Sequence, residues 1–518
     1  MTPDALLEQD FGFIPDLVRA HARERPQHPA LVTADTSLSY GNLDALMDRI
    51  AASLQRDGLR SGDVIAVSGV PGVEYATVFL GALRAGVAVA PLPSSSTPDT
   101  LLTMVADCGA KLLFLTGSVA RSIAASQQSA AVKCISLDSS DGGMSLPGWL
   151  APAGAVPSAV TVDPDAAFNI IYSSGTTGAP KGIVQSHAMR WIHVRRASGA
   201  GYDRRAVTIC STPLCSNTTL VSFFPAIAGG GTVVLMPKFD AADFVALAEK
   251  HRATHAMLVP VQFQRIMDLP DFDRHDLSSF LIKFCTSAPF SASLKADILR
   301  RWPGGLIEYY GMTEGGGTCV LIAHQHPDKL HTVGQPAPGH DIRLIDESGN
   351  MVPRGEVGEI VGRSPAMMLG YYNQPGKTSA AEWYDPQGNR FIRTGDMGRF
   401  DEAGFLTLMD RKKDMIISGG FNVYPSDLEA VLLQHAAIKE AAVVGVASRR
   451  WGETPVAFVV LKPDRTESAE QIREWVNERV GKTQRLTAVE VLPTLPRGAI
   501  GKVLKRELRD QYAGEDSA

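Results

Sequence analysis

The sequence has no excess of basic charge. Its 518 residues carry 50 Lys and Arg against 55 Asp and Glu, a formal net charge of −5. A nucleic-acid binder would normally present a basic face, so that class of partner is not expected. Cysteine is scarce: Cys108, Cys134, Cys210, Cys215, Cys285 and Cys319 fall at no metal-ligand spacing and read most simply as buried thiols in a reducing compartment. The start, Met1-Thr2-Pro3-Asp4, lacks the basic and apolar regions of a secretory signal. Long apolar runs are missing as well. The longest, Leu220 to Met236, is broken by Pro225 and Gly229-Gly230-Gly231 and falls short of the ~20 residues a spanning helix needs. A buried helix, a glycine turn and a buried strand explain it better. No internal repeat of solenoid type is present. These absences lead us to expect a cytoplasmic protein with no membrane partner, of ordinary composition and too long for one core.

Against that background one stretch is unusual: Tyr172-Ser173-Ser174-Gly175-Thr176-Thr177-Gly178-Ala179-Pro180-Lys181-Gly182. It follows the apolar run Phe168–Ile171, which reads as a buried strand. Glycine lets the backbone take φ > 0 and lets a ligand approach closely. Successive N–H groups in such a turn form an anion-binding concavity, and Lys181 adds a positive charge at its rim. The pattern points to a polyphosphate grip. It is not a Walker A loop, because two residues separate Gly178 from Lys181 and no Ser or Thr follows the lysine.

In order, Ser39 is an expected N-cap for a helix with Leu43, Met47, Ile50 and Leu54 on one face. The strand Val64–Val67 follows, then a helix over Tyr75–Ala85 with Gly86 as its cap. The strand Val87–Ala90 is expected to stop at Pro91. Helix and strand continue to alternate, which predicts a doubly wound α/β fold. Residues 139–165 read as a surface connection. From about 340 short strands joined by glycine turns suggest a β-rich subdomain. The charged run Asp410-Arg411-Lys412-Lys413-Asp414 marks a boundary, giving domains 1–412 and 413–518, the second a small α+β unit. Ser426-Asp427-Leu428-Glu429 has the form of a capping box.

Three further motifs carry chemistry, and each taken alone also fits a solvated turn. Tyr310-Gly311-Met312-Thr313-Glu314 offers an aromatic ring, a hydroxyl and a carboxylate suited to a base, a phosphate oxygen and Mg²⁺. Arg393-Thr394-Gly395-Asp396 offers a carboxylate at a turn. Lys502 sits between glycine turns in Pro496–Lys502.

Together, and in this order, these motifs resemble the adenylate-forming enzymes, which include acyl-CoA synthetases, peptide-synthetase adenylation domains and luciferases. The resemblance runs from Leu38 to the region of Lys505. It implies that Ser173, Ser174, Gly175, Thr176, Thr177, Gly178 and Lys181 hold the β- and γ-phosphates of ATP. Thr313 would touch the α-phosphate and Glu314 would ligate Mg²⁺. Tyr310 would stack on adenine, Glu308 would meet its amino group, and Tyr309, Gly311 and Met312 would be further ATP-binding residues. Ser287, Ala288 and Pro289 would line the other face of the base. Asp396 and Arg411 would hold the ribose, and Lys502 would be the catalytic lysine bridging the acid and the α-phosphate. Lys413 would be the hinge of a mobile C-terminal domain, bringing Ser418, Gly419 and Gly420 beside the pantetheine of CoA.

The resemblance therefore implies an acid–CoA ligase that forms an acyl-adenylate and then a thioester. No carrier-protein domain follows residue 518, which points to free CoA as acceptor. The alternatives are a stand-alone enzyme loading a carrier protein and a nucleotide-binding protein without catalysis. Family habit implies a homodimer. The sequence departs from its relatives at Pro213-Leu214-Cys215-Ser216-Asn217-Thr218-Thr219, where many have an aromatic residue and a histidine. By analogy the acyl pocket would be lined by Ser216, Asn217, Thr218, Ser222, Ser287, Gly317 and Thr318, with Phe223 and Phe263 as apolar walls. Hydroxyls and an amide suit a compact acid with polar substituents, although a medium-chain fatty acid also finds apolar wall here.

Overall fold

Hydrophobic strands of four or five residues alternate with amphipathic helices through the first 330 residues, and in the computed structural model they assemble into two sheets. The structure describes residues 1–512 apart from 128, 174–180, 412, 413, 419, 420, 449, 450, 482, 483, 499 and 500. The chain divides into two compact units. One comprises Met1–Leu330, Pro336–Asp341 and Arg363–Ile392; the other comprises His331–Gln335, Ile342–Gly362 and Arg393–Ala518.

In the first unit an eight-stranded sheet runs in the order Gly370–Tyr371, Lys181–Ser186, Ala167–Ser173, Ala88–Leu92, Val64–Ser68, Leu112–Leu115, Lys133–Ser136, Met144–Ser145. Its interior is parallel. Lys181–Ser186 folds back antiparallel on Ala167–Ser173, with Tyr172 opposite Gly182 and Ser173 opposite Lys181. The phosphate-loop residues thus connect two adjacent antiparallel strands. A nine-stranded sheet has a parallel centre ordered Gly305–Tyr310, Ile282–Cys285, His255–Leu258, Val207–Cys210, Thr232–Leu235, Pro29–Val32. Both sheets are buried, as parallel sheets must be. Phe79, Phe168 and Phe224 meet in the core with ring centroids 4.9 to 6.3 Å apart.

The second unit holds residues 358–362, 393–400 and 406–411 of the strands Gly358–Arg363, Arg390–Phe400 and Leu406–Arg411 in a five-stranded sheet. It also holds a five-stranded C-terminal sheet built on the long hairpin Ile438–Ser448 and Gly452–Leu461. Helices Pro425–Leu432 and Ala469–Asn477 cover the latter through Leu428, Leu432, Ile472 and Val476. No described helix is long and apolar enough to cross a membrane.

Ser39 caps the helix Tyr40–Arg56, its Oγ accepting from Asn42 N–H at 3.3 Å. The run Leu220–Met236 is indeed the end of the helix Asn217–Ala228, a glycine turn and the strand Thr232–Leu235. Three expectations are corrected. Pro91 does not stop its strand, which continues to Leu92: the neighbouring strand Ala167–Ser173 registers with it only at Val89–Asn169, so the missing N–H costs no ladder bond there. Residues 139–165 are not all surface. Trp149 is buried against Phe114, 5.1 Å away, and its indole N–H donates to Asp57 at 2.8 Å. Ser426 is not an N-cap, because Pro425 already occupies the first helical turn. Glu429 instead accepts from Val443 N–H at 2.8 Å and pairs with Lys505. All six cysteines are unpaired, four of them buried.

Candidate active site

The strand Gly305–Tyr310 pairs antiparallel with Cys319–Ile322, so Gly311 to Thr318 form the turn between them. Glycine is required in that turn. A Cβ on Gly315, which sits at φ +74°, would lie 1.9 Å from the Ala366 carbonyl oxygen. The backbone of Gly311 approaches Gly317 O and Thr318 Oγ1, each 3.3 Å from where its Cβ would be, which brings these three residues together.

Other segments fasten the turn. Gln185 Nε2 donates to Thr313 O at 2.7 Å, Ser364 Oγ to Gly315 O at 2.7 Å and Met368 N–H to Glu314 O at 2.8 Å. The Tyr371 hydroxyl donates to Glu314 Oε1 at 2.8 Å, and Lys181 Nζ lies 5.2 Å from the centre of the same tyrosine ring. Burial, with the Glu314 charge, raises the Tyr371 hydroxyl far above its usual range, so it stays a donor. Lys181 from the phosphate loop and Glu314 from the Tyr-Gly-Met-Thr-Glu turn are thus joined through one phenol. Glu314 is half-buried and the only carboxylate of that turn, which fits a Mg²⁺ site, since this ion takes one or two carboxylates and leaves the rest of its shell to phosphates and water.

Ser287 adopts φ +81°, a left-handed conformation for a non-glycine residue and a form of strain found at functional sites. Its Oγ is 2.6 Å from Thr218 Oγ1, so these two residues expected to line the acyl pocket meet. Asn217 Oδ1 lies 3.5 Å from Gln185 Nε2. Other expected residues lie in the core. Ser222 is buried with its hydroxyl 2.9 Å from that of Tyr202. Phe223 packs against Phe224, and Phe263 lies against Phe290 and Trp302 at 5.4 and 5.8 Å. Glu308 is buried in an ion pair with Lys295, and burial holds its carboxyl up at about 7. Tyr309 stacks on Phe284 at 5.7 Å.

In the second unit Asp396 and Arg411 are directly opposite on paired strands. Thr394 Oγ1 accepts from Asp396 N–H at 3.0 Å, ordering that turn. Lys502 lies in a tight turn: its carbonyl accepts from Gly498 N–H at 2.8 Å, and Arg497 pairs with Val503 in an antiparallel bridge. Ser418 ends one arm of a hairpin, opposite Phe421. Ser174, Gly175, Thr176, Thr177, Gly178, Lys413, Gly419 and Gly420 lie outside the described residues.

Several contributors carry no motif and come together only in three dimensions. Tyr371 is one. Another is the helix His187–Ser198, on which Arg190, His193 and Arg196 share one stripe at i, i+3 and i+6. Arg190 is wholly buried, donating to Asn169 Oδ1 at 3.0 Å and to Gln185, with Phe168 and Phe224 each 5.9 Å from its guanidinium carbon. That i, i+3, i+6 spacing is the signal in the sequence that would have found it.

Residues 18–372 match the family model described as AMP-binding enzyme, and residues 427–502 match the AMP-binding enzyme C-terminal domain. An indoleacetate–CoA ligase of Aromatoleum aromaticum is 34% identical over 508 residues, covering 95% of this chain and 97% of that protein. The fatty acid–[acyl-carrier-protein] ligase ScoC of Streptomyces coeruleorubidus is 30% identical over 96% of each. Among solved structures, ATP-bound MatB from Rhodopseudomonas palustris is 29% identical, covers 96% of this chain and 99% of that one, and superposes with a TM-score of 0.87. With both domains matched in order across almost its whole length, the chain belongs to the AMP-binding enzyme family.

Proposed function

We propose that this enzyme activates a compact carboxylic acid with ATP, releasing pyrophosphate, and then passes the acyl group to CoA with release of AMP. The carrying observation is the chain Lys181–Tyr371–Glu314, which ties the pyrophosphate grip to the carboxylate expected to ligate Mg²⁺. In the first half-reaction the acid's carboxylate attacks the α-phosphorus, so anion meets anion and negative charge builds on the phosphate oxygens. Thr313 orients those oxygens and Lys181 receives the departing pyrophosphate. Lys502, on its closed turn, stabilises the developing charge. Mg²⁺ held by Glu314 would supply further positive charge to the phosphates.

The acyl-adenylate then meets a thiolate after the C-terminal unit turns at Lys413, a few residues absorbing a large dihedral change. Relatives named as CoA ligases support CoA as the acceptor, and the similarity to a carrier-protein ligase favours the second reading, transfer to a separate carrier. Acid-dependent ATP–pyrophosphate exchange tests the first half-reaction. Exchange with at least one compact acid is expected, and none with any acid would leave a nucleotide-binding protein. Thioester formation with CoA set against a phosphopantetheinylated carrier then separates the acceptors.

A further inference from the structure

The stripe Arg190, His193 and Arg196 collects positive charge without collecting an acid. Among the described residues, no carboxylate stands within ion-pair distance of Arg190, Arg196, His193 or of His340, which joins them from another segment. Arg190 leaves one guanidinium nitrogen, Nη1, buried without a partner, and His193 Nδ1 is buried without one too. A buried polar atom with no partner costs about 1–3 kcal/mol, and Arg190 Nη1, which can only donate, calls for a missing acceptor.

His340 sharpens that requirement. A neutral imidazole has one donor and one acceptor nitrogen. Thr318 N–H donates to His340 Nδ1 at 2.9 Å, which uses the lone pair and puts the proton on Nε2. Nε2 in turn faces Arg196 Nη1 at 2.9 Å, so two donors confront each other. Protonating the ring would not relieve the clash. Burial and the Arg196 charge already hold His340 down to about 4. An anion set against Arg196 and His340 would accept from both.

The cluster adjoins the acyl pocket at both ends. His340 is bonded to the backbone of Thr318, and Arg190 reaches Asn217 and the Thr313 carbonyl through Gln185. Tyr309 stands close enough to Arg196 that the arginine's charge partly offsets the upward push of burial on its hydroxyl. We infer that Arg196 and the His340 Nε2–H receive a second carboxylate on the substrate, making this enzyme selective for compact dicarboxylic acids over monocarboxylic acids of the same skeleton. This rests on the acid-activating reading and narrows it. Arg190 stands behind as a positioning residue whose charge keeps the local potential positive, and burial beside these arginines keeps His193 neutral.

The test is pyrophosphate release with matched pairs, butyrate against glutarate and 3-phenylpropanoate against 3-(2-carboxyphenyl)propanoate. The wild-type enzyme is expected to favour the diacid by tenfold or more in kcat/KM in at least one pair. Arg196→Gln and His340→Gln should each collapse that ratio by tenfold or more, mainly through KM. Turnover of monoacids in preference to both diacids overturns this inference alone, and no release with any acid overturns the parent reading with it. A second arm measures thermal shift with inorganic phosphate or chloride alone. An upshift that Arg196→Gln abolishes, with no diacid preference in turnover, would assign the cluster to a free anion and overturn the inference.

Discussion

The turn that holds Glu314 takes its hydrogen bonds from Gln185, Ser364, Met368 and Tyr371, all remote in sequence. The bonds described around Lys502 instead close within residues 496–504: Gly501 N–H to Gly498 O, Arg497 Nη1 to Gly501 O and Leu504 N–H to Pro496 O, at 2.7 to 2.9 Å. The Arg497–Glu440 ion pair ties that turn to the rest of its own unit. The difference has a physical meaning. A turn braced from many sides keeps its geometry only in place, while a turn closed on itself keeps its shape wherever its unit carries it. The first suits the fixed phosphate site of the proposed function, the second the lysine that this proposal assigns to the first half-reaction alone.

Breaking that contrast begins at Lys502, where the largest effect is expected. Lys502→Ala should lower acid-dependent ATP–pyrophosphate exchange by a factor on the order of 10²–10³, the usual cost of one donor to transition-state charge. Thioester formation from supplied acyl-adenylate should be spared. Equal loss of both half-reactions, measured separately, would show that the lysine is not specific to the first.

Much of this was legible from residues alone, because the fold's periodicities and the nucleotide motifs are local. The helix under Ser39, the glycine break after Ala228 and the Tyr-Gly-Met-Thr-Glu turn each depend on neighbours a few positions away. What escaped depends on contacts across the chain. Tyr371 reaches Glu314 across 57 positions, and nothing near it in sequence announces a site. Ser222 and Phe263 are compatible with a pocket by composition, yet Tyr202 takes the hydroxyl of one and Trp302 packs on the ring of the other. Trp149 looked like part of a loop because its strand and helix are only two and four residues long. Pro91 misled for a different reason: proline's penalty exists only where a ladder bond is lost.

The braced turn has its own weak point in Gly315. Its φ of +74° costs an alanine about 1–2 kcal/mol, and the added Cβ would lie 1.9 Å from the Ala366 carbonyl oxygen. Gly315→Ala should therefore lower the unfolding midpoint of the first unit and weaken ATP binding together. The corresponding change at Gly498, which has no positive φ and meets nothing closer than 3.7 Å, should leave stability within about 0.5 kcal/mol. Similar melting of the two variants would remove the contrast between braced and self-closed turns.

The smallest effect is expected at Tyr371, where only a hydroxyl is removed. Tyr371→Phe keeps the ring beneath Lys181 but strips Glu314 of the donor that fixes its carboxylate. A hydrogen bond to a charged group is worth about 1.5–3 kcal/mol, and water can replace part of it because Glu314 is only half-buried. The first half-reaction should slow by roughly tenfold, with a raised Mg²⁺ requirement, as the freed carboxylate loses its orientation. Thioester formation from supplied acyl-adenylate should not change, since the proposed function assigns Glu314 to the ATP phosphates alone. If the Mg²⁺ dependence of exchange is unaltered, the phenol braces the turn mechanically and does not aim the carboxylate, and the link between Lys181 and Glu314 is then structural.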